Sequence, residues 1–432
     1  MVKVAVIGAG VSGMVAAKEL QQEGHNVIVF EKNNRVGGTW IYTSKSDSDP
    51  LSIDPTRETV HSSVYLSLRT NLPRHIMGFL DYPLSKRESG DPRTFPGHEE
   101  VLRFLEEFAD EFGIHELTRF ETEVVKVERK GGKDWVVESR GGDSVSREVF
   151  EAVVVCSGHY VEPRLAVVPG IENFGGFQMH SHNYRVPHSF KDQVVILIGL
   201  GTSSFDISRD IARLAKEVHV ATRPKPDLKG RKLENVRNIC FHTLIKCVYE
   251  DGLVAFEDGF SIYADAIIHC TGYKYHIPFL ETNGTVTIED NRVGPLYKHV
   301  FPPSLAPCLS FIGLTFKEIT FSVIELQAKW IARVLSGKVL LPDEEEMMAS
   351  IKDFYQSMEE NGLSKRQTHS LRPLQGDYKH WLVEQIGLPP LEDWRDNMLM
   401  ECLKNSIEMN EMFRDEWDDN YWDAIIQSGS AS

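Results

Sequence analysis

Two glycine-rich turns, each set between an apolar run and a helix-forming stretch, constrain this 432-residue chain more than any other feature. The first, Gly8-Ala9-Gly10-Val11-Ser12-Gly13, follows Val2-Lys3-Val4-Ala5-Val6-Ile7. The second, Gly199-Leu200-Gly201-Thr202-Ser203-Ser204, follows Val194-Val195-Ile196-Leu197-Ile198. A lone turn of this type is a weak signal, so its surroundings decide. Glu31 ends the apolar run 25–30 and lies eighteen residues past Gly13, close to the spacing a dinucleotide-binding βαβ unit needs. Residues 14–23 read as a helix with Ala17 and Leu20 on one face, and Gly24 can close it. In the second unit Ile207, Ile211 and Leu214 repeat at helical spacing, and Arg223 ends the run 218–222 nineteen residues past Ser204.

The chemistry at both turns is the same. The first glycine permits a tight turn, the second lets backbone N–H groups approach a pyrophosphate, and the third lets helix and strand pack closely. The positive end of the helix then faces the phosphates. Ser204 stands where the third glycine is usual, a small residue that still permits packing. An acid such as Glu31 accepts from a ribose diol, whereas an arginine such as Arg223 pairs with a ribose 2′-phosphate. FAD and NADPH are the pair of dinucleotides these ends predict. Lys225 reads equally as a second cation for the 2′-phosphate or as a solvated lysine after Pro224.

The layout expected is α/β, with two Rossmann-like domains and the NADPH domain inserted into the FAD domain. Residues 1–165 and 272–432 make the FAD domain in this reading, and 166–271 the NADPH domain, with crossings at 184–189 and 271–278. The runs 124–128 and 135–138 around Gly131-Gly132 predict an antiparallel hairpin. Residues 152–158 and 266–272 echo one another as strand and turn, each closing its own sheet.

Composition narrows the partners. A formal charge of −16 disfavours nucleic acid and anionic membranes. Six cysteines without a C-x-x-C fit a reducing compartment and offer no zinc site or redox pair, which also disfavours a disulfide reductase. No apolar run approaches the ~20 residues of a membrane span, and the N-terminus enters its first strand at once, so the expected address is the cytoplasm. Met398, Met400, Met409, Met412, Trp417 and Trp422 form an amphipathic pattern expected to be a packing stripe.

Between the turns, Phe174, Gly176, His180 and Tyr184 satisfy F-x-G-x-x-x-H-x-x-x-Y. On this motif the chain resembles the flavin-containing monooxygenases, whose Baeyer–Villiger relatives carry tryptophan where Tyr184 stands. The resemblance extends to Glu31 with Val36-Gly37-Gly38-Thr39-Trp40, to Asn71-Leu72-Pro73 and to Cys270-Thr271-Gly272-Tyr273. Within the family, residues 273–280 and 295–303 look most like the plant S-oxygenases, which act on thioethers such as glucosinolate side chains and S-alkyl cysteines.

The resemblance implies NADPH- and O2-dependent conversion of a thioether to a sulfoxide through a C4a-hydroperoxyflavin, with cofactors performing the chemistry. Oxygenation of a soft amine, or a non-catalytic NADPH-sensing flavoprotein, are the alternatives it leaves. It implies catalytic support from Asn71, which on residues alone reads as a turn asparagine before Leu72-Pro73. Gly38, Trp40, His61 and Gln327 match family positions near the flavin, Val125 an adenine contact through its backbone, and Tyr184 a cofactor-side position. His180 and His182 have no cysteine or carboxylate cluster in the sequence, so no metal is expected, and the motif is expected to organise a crossing between domains.

Overall fold

A computed structural model describes residues 1–132, 134–223, 238–372, 375–407 and 412–429. The chain divides into two compact units, Met1–Trp40 with Leu72–His159 and Tyr275–Ser432, and Ile41–Asn71 with Tyr160–Lys274.

The first unit is built on a parallel sheet ordered Leu309–Phe311, Ala152–Val155, Lys3–Ile7, Asn26–Phe30 and Thr118–Arg119. Its central strand is apolar and buried from Val4 to Ile7 because both faces are covered, as parallel sheets require. Successive side chains alternate between the faces. Val4 and Val6 pack with Met14, Ala17 and Leu20 of the Val11–Gln22 helix and with the Thr320–Leu335 helix. Ala5 and Ile7 face Val127, Trp135, Val137 and Phe150 of an antiparallel layer. Each fully buried valine, leucine or isoleucine among them contributes about 1.5–3 kcal/mol over exposure. That layer pairs Thr122–Arg129 with Trp135–Gly141 and then Ser144–Phe150, as the hairpin pattern predicts.

The second unit repeats the design. Its parallel sheet runs Ile239–His242, Glu217–Ala221, Val194–Ile198, Ala266–His269 and Phe177–His180. The echo expected from the sequence is present: Ala152–Val155 flanks the strand before the first turn, and Ala266–His269 flanks the strand before the second.

Ile41–Asn71, expected with the first domain, groups with the second unit. Buried Arg185 is the reason, since its guanidinium donates to the carbonyls of Thr43, Lys45 and Ser62 at 2.9 Å. Asn183 adds to this, accepting from the Asp47 N–H and donating to the Pro50 carbonyl, both at 2.9 Å. The chain accordingly passes between units at 40–41, 71–72, 159–160 and 274–275. Residues 184–189 lie wholly within the second unit, which corrects one expected crossing; 271–278 contains another.

The C-terminal stripe is only partly a stripe. Met398 and Trp422 are buried with Ile76, Ile319 and Trp394, whereas Met400 and Met412 are exposed, and Met409 lies outside the described residues. Among the described residues no helix is long and apolar enough to cross a membrane.

Candidate active site

The first turn is a bare backbone cradle. Gly8 has φ +104°, and a Cβ there would lie 2.7 Å from the Cys156 carbonyl oxygen. One on Gly38 would meet the Gly10 Cα at 2.9 Å, and one on Gly13 would fall 1.8 Å from the Gly8 oxygen. The Val11–Gln22 helix starts here with Gly10 as its cap and no side chain capping it, so its first N–H groups stay available to an anion. This surface fits a pyrophosphate, because side chains that would fill it are absent at each close approach.

Around that cradle, Glu31 is buried, and its carboxylate accepts from Ala9 N–H at 2.7 Å and from Asn33 N–H at 2.8 Å. Those bonds fix the acid at the end of its strand beside the turn. Val11 and Ser12 are half-buried and Ala9 is buried. Gly38 and Trp40 form a single 3-10 turn, with the indole packed on the main core cluster. Val125 is the extra residue of a β-bulge: Val124 pairs with Ser139 and Lys126 with Glu138. A bulge leaves its backbone groups outside the ladder, which suits the backbone role expected of it.

Gln327 is fully buried and spent on the protein. Its Oε1 accepts from Gly313 N–H at 3.2 Å, and its Nε2 donates to the Tyr378 hydroxyl at 2.9 Å, which donates to the Lys298 carbonyl at 2.8 Å. Gly313 lies against Ser12, since a Cβ on it would be 2.5 Å from the Ser12 hydroxyl. Gln327 therefore buttresses the first turn from behind. No short-range sequence pattern marks Tyr378 as its partner.

The second turn has the same form but more room. Gly199 has φ +108°, and a Cβ would lie 2.5 Å from the Cys270 oxygen, as at Gly8. Around Gly201, by contrast, nothing stands within 4 Å of where a Cβ would be. The Thr202–Ala212 helix also begins with an uncapped glycine. Ser204 is fully buried with its hydroxyl beside the Cys270 thiol, Leu200 and Ser203 are half-buried, and Thr202 is exposed.

Pairing register corrects one assignment. Ile7 pairs with Phe30, and Ile198 with Ala221, so Thr222 occupies the place of Glu31. Thr222 is buried, and exposed Arg223 stands one residue farther out, matching Lys32. Lys225 lies outside the described residues.

Tyr184 is held inside the second unit. It is 1% exposed, its hydroxyl donates to Asp210 Oδ2 at 2.7 Å, and burial followed by that carboxylate raises its phenol well above the ordinary range. The motif around it organises the second unit and no crossing. Phe177–His180 is an edge strand beside Ala266–His269, and Gly176 is bare because a Cβ would strike the Asp265 carbonyl oxygen and the Phe174 ring. His180 and His182 are fully buried, with His180 Nδ1 accepting from the His182 N–H at 3.0 Å. His182 lies 2.7 Å from the Ser63 hydroxyl and 3.4 Å from Asp47. Burial, then the neighbouring His182 and His269, push His180 down to about 3, so it is a neutral structural group near pH 7. His61 and Asn71 belong to the second unit, half-buried and exposed respectively.

None of the six cysteines forms a disulfide, and burial pushes Cys156 far up and Cys270 up to about 12. Neither is a thiolate nucleophile at neutral pH. Glu19, Asp81 and Glu325 gather within 4.8 Å, but Lys18 and Lys329 pair with them and supply the balancing charge.

A family model described as flavin-binding monooxygenase-like matches residues 1–237 and 227–390. The chain belongs to that family. It is an enzyme of the FAD- and NADPH-dependent flavin monooxygenases. Flavin-containing monooxygenase FMO GS-OX-like 3 of Arabidopsis thaliana is 54% identical to this flavin monooxygenase over 428 residues, covering 97% of this chain and 94% of that protein. The solved S-allyl-L-cysteine S-oxygenase from Allium sativum superposes with a TM-score of 0.97 at 51% identity, covering 100% of this chain and 99% of the other. Tmm from Pelagibacter sp. strain HTCC7211 superposes at 0.81 with 26% identity, over 95% of this chain and 92% of that one.

Proposed function

We propose that this monooxygenase seats FAD on the first turn and NADPH on the second and converts a thioether to its sulfoxide. The first unit is then the FAD-binding domain and the second the NADPH-binding domain. The carrying observation is the contrast between two bare glycine turns, one whose unit places buried Glu31 at the strand end and the other buried Thr222 there, followed by exposed Arg223. Likeness along the whole chain to an S-allyl-L-cysteine S-oxygenase favours sulfur as the atom oxidised.

In balance, NADPH, a proton, O2 and the thioether become NADP+, water and the sulfoxide. When bound, FAD would supply the redox and oxygen-activating chemistry. The chain's own residues bind and orient. The amides at the head of the Val11–Gln22 helix hold the FAD pyrophosphate, and Glu31 accepts from its ribose hydroxyls. The amides at the head of the Thr202–Ala212 helix hold the NADPH pyrophosphate, and Arg223 pairs with its 2′-phosphate. Asn71 offers an amide that can donate and accept together, the catalytic support proposed for it. Buried, protonated cysteines and a neutral His180 add no competing nucleophile or base.

The FAD-loaded protein, given NADPH, 18O2 and S-allyl-cysteine, should yield one 18O-labelled sulfoxide per NADPH oxidised. NADPH consumption that produces only H2O2, at a rate indifferent to the thioether, overturns this reading.

A further inference from the structure

Two carboxylates on the helix behind the second turn have no role in phosphate binding. Asp206 and Asp210 stand four residues apart on Thr202–Ala212, hence on one face of it. Asp206 Oδ2 accepts from the Tyr65 hydroxyl at 2.9 Å, and Asp210 Oδ2 from the Ser67 hydroxyl at 2.8 Å. Both donors come from one short stretch, and that stretch ends at Asn71. Tyr184 donates to the same Asp210 oxygen and packs edge-on against Tyr65, ring centres 5.6 Å apart. The Leu66 N–H donates to the Arg185 carbonyl at 3.0 Å between the two anchors.

A buried aspartate needs partners, and any nearby hydroxyl could serve. Ser67, however, is exposed and could be solvated, yet it is aimed at a carboxylate that Tyr184 already satisfies. Tyr65 and Thr70 are buried on either side of it, so the strip is fixed at several points while Asn71 at its end stays exposed. Bonds to an ionised acceptor are roughly twice as strong as neutral ones, so two such ties hold a loop firmly.

We infer that Asp206 and Asp210 are positioning residues that hang the Asn71 strip on the helix receiving the pyridine nucleotide, so that this helix and the Asn71 amide keep one fixed geometry. The inference rests on the proposed role of Asn71. It assigns the motif tyrosine, Tyr184, to the same device. A misplacement of about 1 Å in a catalytic amide is enough to lower a rate a hundredfold, whereas the phosphate contacts are made by backbone amides that do not depend on the Asn71 strip.

The test uses the full-length, FAD-loaded enzyme with NADPH and S-allyl-cysteine, and reads sulfoxide per NADPH, H2O2, the NADPH Kd and Tm. Asn71→Ala comes first. An unchanged product ratio there removes Asn71 from catalysis and overturns the proposed role itself. Given an Asn71→Ala defect, Tyr65→Phe with Ser67→Ala should lower sulfoxide per NADPH about tenfold, with the NADPH Kd within about twofold. Ser67→Thr, which keeps the hydroxyl, should restore the Ser67 contribution. Combined with Asn71→Ala, the pair should add no further loss, because all three changes disable one device. An unchanged ratio with only a lower Tm, or a loss fully additive with that of Asn71→Ala, overturns the inference. Ser67→Ala alone, at an exposed site, keeps the test open if the double variant folds poorly.

Discussion

The two glycine turns of this monooxygenase share a backbone and differ in tolerance. Gly8 and Gly199 have φ near +105° and each sits under the carbonyl of a cysteine closing the neighbouring strand, Cys156 or Cys270. Beyond that point they diverge. A Cβ at Gly13 would lie 1.8 Å from the Gly8 oxygen, yet Ser204 carries a whole side chain at the matching position and is fully buried. The second helix therefore stands farther from its strand. Gly10 faces Gly38 closely, whereas Gly201 faces open space. A closed cradle suits a prosthetic group that stays; an open one suits a coenzyme that must come and go each turnover.

That contrast breaks most visibly at position 13. Gly13→Ser should cost the upper end of, or more than, the ~1–3 kcal/mol usual for overpacking, because the obstruction is backbone and cannot rotate away. The purified variant should be largely colourless or unfolded, read by absorbance near 450 nm and by Tm. A yellow variant of unchanged Tm would show that the first cradle is not closed.

Acid should erase the difference between the units. Burial pushes His159 and His299 of the first unit to about 4, and His269 and His180 of the second to about 4 and 3. Above pH 6.5 these imidazoles are neutral in folded and unfolded chains alike, so they add no slope. Between 6.5 and about 4 only the unfolded chain takes up their protons, so stability falls as pH falls. Tm measured from pH 8 to 4 should stay level above 6.5 and then drop steeply, with a single transition if both units fail together. A Tm that rises on acidification through this window contradicts the neutral burial of these groups.

What was legible in advance follows the same division between local and distant causes. Strands, turns and helices around both glycine motifs could be read because they depend on spacing and on chain-local sterics. The register at the second strand end is also local: eighteen residues separate Gly13 from Glu31, and the same count from Ser204 reaches Thr222, one short of Arg223. The membership of residues 41–71 was not legible, because it depends on Arg185 collecting carbonyls more than a hundred positions away in sequence. Tyr184 has a related cause: its motif marks the position, while its 1% exposure and its bond to Asp210 depend on a helix 26 residues away.

Arg223→Ala sharpens the comparison at its chemical end. Charge-assisted bonds to a phosphate contribute ~1.5–3 kcal/mol, and Arg223 is exposed, which favours the lower end. The KM for NADPH should rise about tenfold, while that for NADH, lacking the 2′-phosphate, should hardly change. Equal rises for both coenzymes would mean that Arg223 acts on the fold or on a shared part of the nucleotide, and that the ends of the two turns do not sort the cofactors.

The smallest effect belongs to the reverse of the first substitution. Ser204→Gly gives the second turn the residue the first cannot do without, yet it should make that turn no tighter. The helix is already held off by its own packing, through buried Phe205, Ile207 and Ile211. Removing the side chain vacates a small space beside Cys270 and adds the ~0.5–1 kcal/mol backbone cost of glycine in a helix. Tm should therefore fall slightly, with the NADPH KM within about twofold of the parent. A markedly tighter KM would mean that Ser204 alone sets the opening, and that a single hydroxymethyl group separates a turn that retains its dinucleotide from one that releases it.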